Sequence, residues 1–551
     1  MQFKTADLST APVVLSISQL SVGLAGETTK VLDAIGLEVR AGETACLVGE
    51  SGSGKSVTSL AVMGLLPKDS LEVTAGEIVL DGTDLLMLTP SQMRQVRARR
   101  IAMIFQEPMT ALNPVMQVGE QIAEVLRTHT DLSASACEAR VLEIMEQVYL
   151  PDVQRIYHSY PHQLSGGQRQ RIMIAMALVL EPKLLIADEP TTALDVTTQA
   201  QILALIAELQ QRQGTAVLFI THDMGVVAEV AHTVHVMQHG RIVEQAPVET
   251  LLRHPREEYT RTLLSSVPSL VPRSVRTTSH QEGVLEVRGM NKEYADGSWF
   301  MRRPGTLAAR DISFTVIRGR TLGIVGESGS GKSTVARCIM RLVDPTSGEI
   351  RVAGTEIARL SRRALRPHRK HFQVVFQDPF RSLNPRWNIA MSLTEGPLNY
   401  GVSYPEALAR AAEMLELVGL PRDSLHRYPH QFSGGQRQRI AIARAIMMRP
   451  DVLVADEAVS ALDVSVQAQV LKLLGEIQQK LGIAILFITH DLRVAAQICD
   501  DVIVMQRGVI VEQGPAGEVL ASPRHDYTRQ LIEAAPGRHW DFANFRELDI
   551  A

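Results

Sequence analysis

The sequence predicts an α/β protein made of two copies of one domain, each a parallel sheet with its working loops at the strand ends. Three observations lead there. "HQLSGGQRQR" at His162–Arg171 returns as "HQFSGGQRQR" at His430–Arg439, 268 positions on and changed at one residue. In each copy a short apolar run enters a glycine-rich loop that opens a helical pattern, and further apolar runs end in an acid pair and a histidine. A period this long is a whole domain, not a short-repeat solenoid. Strand, functional loop and helix in repeated order mark a parallel sheet with its site at the strand C-termini.

Composition sets the bounds. The 551 residues are 45% hydrophobic and 21% charged, an ordinary globular balance with room for several domains. The net charge of −4 argues against a dominant nucleic-acid footprint. Cys46, Cys137, Cys338 and Cys499 are scattered without a C-x-x-C pair, so neither a zinc knuckle nor a disulfide framework is expected, and a reducing cytoplasmic setting fits. The opening "MQFKTADLSTAPVV" lacks a signal-peptide pattern. No uncharged apolar run reaches the ~18 residues a membrane span needs, so at a membrane other chains must cross it. The Pro/Ser/Thr-rich stretch at Val267–Gly283 reads as a linker. The expected division is therefore 1–270, a linker 271–282, and 283–551.

The first element in each copy is a strand, "TACLV" in copy one, followed by "GESGSGKS" at Gly49–Ser56 and again at Gly326–Ser333. Gly, four residues, then Gly-Lys-Ser between strand and helix is the context of a phosphate-binding loop. In the loops Gly49, Glu50, Ser51, Gly52, Ser53, Gly54 and Gly326, Glu327, Ser328, Gly329, Ser330, Gly331, the glycines let backbone N–H groups converge on an anion. Lys55 and Lys332 would reach the β- and γ-phosphates of ATP, and Ser56 and Ser333 would ligate Mg²⁺. Gln106 in "IFQEP" and Gln377 in "VFQDP" can offer a carbonyl to the metal and an amide to a water.

Further along, Asp188-Glu189 and Asp456-Glu457 end apolar strands. Adjacent acids there are costly to bury without a cation. Each aspartate is the expected Walker-B partner of Mg²⁺, and each glutamate, turned the other way by strand alternation, would deprotonate the attacking water. His222 and His490, in "THD" after the next strand, can donate to the γ-phosphate. The repeated "SGGQ" precedes a helix: Ser165 or Ser433 could cap it, and its N–H groups suit a second anion.

In this order of motifs the chain resembles the ATP-binding cassette ATPases over nearly its whole length, with Walker A, Q-loop, signature, Walker B, D-loop (Ala193–Asp195 and Ala461–Asp463) and H-loop all present twice. The resemblance implies two tandem P-loop NTPase domains, each a RecA-like parallel core with an antiparallel β subdomain and a helical subdomain. It implies that the domains close head to tail as a pseudo-dimer within one chain. Ser433, Gly434, Gly435 and Gln436 would then complete the ATP site of Lys55, while Ser165, Gly166, Gly167 and Gln168 would complete that of Lys332. "EPMTALNPVMQVGEQI", "DPFRSLNPRWNIAMSL" and the pieces "HPREEYTRTLLSSVP" and "SPRHDYTRQLIEAAP" resemble the peptide, nickel and glutathione importer branch. That branch implies two membrane permeases, an extracytoplasmic solute-binding protein acting indirectly, no nucleic acid, and a peripheral place on the cytoplasmic face of the inner membrane. Many members carry a cysteine cluster after the C-terminal piece; none follows it here, so no iron–sulfur cluster is expected.

Two departures predict unequal sites. The residue expected to stack on adenine is Tyr294 in the second copy but Leu24 in the first. Thr334 follows the P-loop serine in the second copy, and Val57, without a hydroxyl, in the first. Competing classes fit less well. Ribosome-acting twin cassettes carry a long charged linker, DNA-repair relatives insert coiled coils or zinc modules, a non-hydrolysing regulator would not need Glu189 and Glu457, and exporter ATPases are less alike locally.

Overall fold

Alternating apolar residues build an outer antiparallel sheet first. The structure, a computed structural model, describes residues 8, 10–191, 194–273, 282–294, 305–460 and 462–548. Ala193 and Ala461 of the D-loops and most of the expected linker lie outside them. The chain forms two units: Met1–Val267 with His539–Ala551, and Pro268–Arg538.

In the first unit β1 (Val13–Leu24), β2 (Lys30–Arg40), β4 (Leu71–Leu80) and β5 (Thr83–Asp84) form an antiparallel sheet of order β2-β1-β4-β5. Leu15 and Ile17 point inward, an irregularity between Ile17 and Leu20 with Gln19 at φ 51° resets the phase, and Leu20 and Val22 point inward again. β3 (Thr44–Val48), β6 (Ile101–Ile104), β7 (Leu184–Asp188), β8 (Ala216–Thr221), β9 (Thr233–Gln238) and β10 (Arg241–Pro247) form the core sheet, ordered β10-β9-β3-β8-β7-β6. Every residue of β3, β7 and β8 is buried, as a parallel sheet covered on both faces requires. Only β10 runs antiparallel. It follows β9 through His239-Gly240, both at positive φ, the tight connection that a crossover helix cannot make.

The second unit repeats this. β11 (Gly283–Tyr294), β12 (Thr306–Ile317), β14 (Ser347–Val352) and β15 (Thr355–Glu356) make the outer sheet. β13 (Thr321–Val325), β16 (Phe372–Val375), β17 (Val452–Asp456), β18 (Ala484–Ile488), β19 (Asp501–Gln506) and β20 (Val509–Pro515) make the core, ordered β16-β17-β18-β13-β19-β20. In each unit a helical region, Val118–His129 with Ala134–Gln147 and Ile389–Asn399 with Tyr404–Leu417, precedes the "SGGQ" helix at Gly166–Leu178 or Gly434–Ile446. This is the expected parallel core with antiparallel and helical subdomains. No described helix is long and apolar enough to cross a membrane.

The segment after Val267 is held by the second unit. Arg273 donates its N–H to the Ala496 carbonyl at 3.1 Å and pairs with the buried Asp500 at 2.6 Å. The chain's last stretch lies in the first unit. Trp540–Asp541 pairs with Arg546–Glu547 in a small hairpin, Phe542 is buried, and the turn Phe542–Asn544 packs on the helix Glu258–Ser265.

Candidate nucleotide sites

The glycine loop leaves β3 at its C-terminal end and opens the helix Lys55–Val62; the second leaves β13 and opens Lys332–Ile339. Gly54 at φ 107° and Gly331 at φ 104° sit where an added Cβ would run into Leu32 or the Ala308 carbonyl. Both lysines are buried. Lys55 Nζ donates to the carbonyls of Gly49 (2.8 Å) and Glu50 (2.9 Å), and Lys332 Nζ to those of Gly326 and Glu327, both at 2.7 Å. Val57 packs partly into the core, so its methyls serve packing.

At the ends of β7 and β17 the acid pairs separate. Glu189 and Glu457 do not continue the strand: they adopt φ 45° and 48°, while their N–H groups still bond the carbonyls of Ile220 and Ile488. Strand alternation therefore does not aim these glutamates; a left-handed turn does, a conformation unfavourable for a residue with a Cβ and held by its surroundings. Glu189 accepts from Gln106 Nε2 at 2.8 Å and lies 2.8 Å from His222 Nδ1. Glu457 accepts from Gln377 Nε2 at 2.8 Å, and His490 Nδ1 stands 3.6 Å away. Thus Q-loop glutamine, glutamate and histidine, from three strand ends, meet in each unit.

The aspartates lie deeper. Burial pushes the carboxyl of Asp188 up despite hydrogen bonds from Ser56 and Ser59, each at 3.4 Å. Burial, with Glu457 beside it, raises Asp456, whose Oδ1 is buried without a hydrogen-bond partner. The His490 ring holds the Glu457 carboxyl below its ordinary range. Burial opposes a charge on His490, but Glu457 outweighs it and the net direction is up.

Ser165 and Ser433 cap their helices as expected. Their hydroxyls accept from the N–H of Gln168 (3.3 Å) and Gln436 (3.4 Å), whose side chains accept in return from the serine N–H groups, both at 3.0 Å. These two glutamines therefore serve as helix caps here. Gly167 and Gly435 meet the next helix so closely that a Cβ would strike Thr198 or Val466. Tyr294 is partly exposed, with Lys292 Nζ 5.0 Å from its ring centre, while Leu24 is half-buried at the end of β1.

Sequence reasoning passed over two residues. Glu50 N–H donates to the Tyr259 hydroxyl at 3.2 Å, and Glu327 N–H to the Tyr527 hydroxyl at 3.1 Å. Both tyrosines lie in the duplicated C-terminal pieces, 268 positions apart, and that shared position was the available signal.

A family profile described as ABC transporter matches residues 32–192 and 309–460, more than half of the chain. The chain belongs to the ABC transporter family. A second profile, oligopeptide/dipeptide transporter, C-terminal region, matches 243–303 and 511–543 and so spans Tyr259 and Tyr527 of this ABC protein. The glutathione import ATP-binding protein GsiA of Salmonella typhimurium is 47% identical, covering 95% of this chain and 89% of that protein. The uncharacterized ABC transporter ATP-binding protein YejF of Escherichia coli K12 is 46% identical, covering 94% and 99%. Among solved structures, cbiO1 of Clostridium perfringens is 31% identical with a TM-score of 0.39, covering 46% of this chain and 94% of its own. This ABC protein is an ATP-binding and ATP-hydrolysing subunit of an importer, a kind of subunit that works with membrane permeases.

Proposed function

We propose that the chain carries two ATP sites, one in each unit, and powers uptake of peptides or peptide-like solutes such as glutathione. It would work from the cytoplasmic face of the inner membrane, through two permeases fed by an extracytoplasmic binding protein. The observation that carries the chemistry is the glutamate held between glutamine and histidine at the strand ends of each unit. Each P-loop cradles phosphates with backbone N–H groups and its lysine. Glu189 and Glu457 take a proton from the attacking water, with Gln106 and Gln377 orienting it and His222 and His490 donating to the γ-phosphate. Signature residues of one cassette complete the site of the other in the closed state, and Tyr294 stacks on adenine.

Mg²⁺ fits the donors present: Asp188 lies 3.4 Å from the Ser56 hydroxyl in one site, and in the other Asp456 is buried with an unpartnered oxygen. Ser56, Gln106 and Asp188 would hold it in one site, and Ser333, Gln377 and Asp456 in the other. Bound there, it would neutralise charge on the β- and γ-phosphate oxygens. The solute class draws support from the GsiA likeness and from the C-terminal region profile.

The test is capture of the chain with its permeases from membranes, then reconstitution with ATP inside vesicles. Uptake of glutathione or short peptides is expected, and Glu189→Gln with Glu457→Gln should abolish it together with ATPase, a loss of about 10²-fold or more, while nucleotide still binds. Capture without any membrane protein, or near-normal turnover in the double variant, would refute the reading.

A further inference from the structure

We infer that Tyr259 and Tyr527 are positioning residues of the two ATP sites, and that residues 540–547, seated on the helix of Tyr259, support the first site only. The inference rests on the P-loops being the ATP sites, as proposed above.

One loop residue in each unit carries the argument. The N–H of Glu50 is held by the Tyr259 hydroxyl, while its carbonyl accepts from Lys55 Nζ; Glu327 is held the same way between Tyr527 and Lys332. The tyrosine thus fixes the loop residue against which the phosphate-seeking lysine rests. The helix that bears it is anchored in turn. Glu244 on β10 accepts from the N–H groups of Arg256 (2.8 Å) and Glu257 (3.1 Å), and Glu512 on β20 from those of Arg524 and His525 at the same distances. Nothing in hydrophobic packing requires a phenol to reach a P-loop N–H twice. A preorganised loop spares ATP the ordering cost on binding.

The first unit has one thing more. The helix Glu258–Ser265 is covered by the turn Phe542–Asn544, and Arg253 clamps that segment, its guanidinium 5.2 Å from the Trp540 ring and 2.7 Å from Glu547. Asp541, buried, ties the hairpin through Asn544 (2.8 Å) and Arg546 (3.2 Å). The Tyr259 helix is therefore backed by residues 540–547, far from it in sequence.

The experiment uses the full chain and site-resolved photolabelling by an ATP analogue, titrated and mapped by digestion. Tyr259→Phe keeps the ring and removes the hydroxyl. It should weaken labelling at the Lys55 site about five-fold, with kcat little changed and the Lys332 site untouched; Tyr527→Phe should do the reverse. Deleting 539–551 should shift the Lys55 site in the same direction and add little in the Tyr259→Phe chain, since both act through one contact. Should the shortened chain not fold, Phe542→Ala releases the same packing at full length. Unchanged affinity at both sites, or equal shifts at both, would overturn the inference. Lys55→Ala separates the two readings: if it spares labelling at its own site, the site assignment fails; if it abolishes labelling while Tyr259→Phe does nothing, only this inference fails.

Discussion

The two Walker aspartates occupy the same strand end in the two units but keep different company. Asp188 has two hydroxyls, from Ser56 and Ser59. In the second unit the position of Ser59 is Ala336, and Asp456 Oδ1 is left buried and unpartnered. A buried carboxylate oxygen without a donor is costly, so if Mg²⁺ binds as proposed, the second site would have the stronger demand for it and the first would satisfy part of that demand internally. The same tilt recurs around the nucleotide. The second copy has Tyr294 and Thr334 where the first has Leu24 and Val57. The grouping of glutamine, glutamate and histidine, by contrast, is kept in both units.

The comparison breaks most sharply at the signature serines. Ser433→Arg should disable the site of Lys55, and Ser165→Arg that of Lys332, if each signature serves the other cassette. Lost capping and forced bulk cost about 3 kcal/mol, on the order of a hundredfold in affinity. Photolabelling under conditions that favour closed cassettes reads this directly. Loss of labelling at Lys332 in Ser433→Arg would reverse the assignment.

A second difference lies in the cores. His235 on β9 is fully buried, between Leu47 and Gln245 in its ladder, and neither neighbour carries charge; the matching residue in the second unit is Ile503. Burial pushes the His235 pKa down to about 4 from an ordinary 6.5. Between those values the unfolded chain binds a proton that the folded unit refuses, so stability is lost as pH falls: about 2 kcal/mol by pH 5. The first unit should show a calorimetric transition that drops on acidification, and His235→Ile should flatten that drop. An identical acid response in the variant would remove His235 from the explanation.

The smallest effect tests the adenine contact. Leu24→Tyr should tighten the first site by ~0.5–1.5 kcal/mol, several-fold, and narrow the gap to the second. Equal affinities of the two sites in the parent chain would dissolve the asymmetry altogether.

The domain design, the two P-loops and the strand-end acids were legible from the residues, because each is a local pattern: an apolar run, a glycine spacing, a polar group at a strand end. Repetition, 277 positions apart for the P-loops and 268 for the acids, turned weak local signals into a firm reading. Three things were not local and had to wait for the fold. Strand alternation predicted how Glu189 and Glu457 turn, yet a left-handed backbone sets it, because the bond from each N–H to Ile220 or Ile488 constrains the chain across the sheet. Tyr259 reaches a loop 209 residues earlier, a contact that no spacing rule contains. The aromatic tail carries no motif that assigns it a place, yet its hairpin finds an apolar seat beside Arg253 in the first unit. Local propensity and periodicity are written in neighbouring residues. Which distant backbone group a hydroxyl meets, and which surface a tail covers, depends on chain closure over hundreds of residues and is decided only when the sheets have stacked.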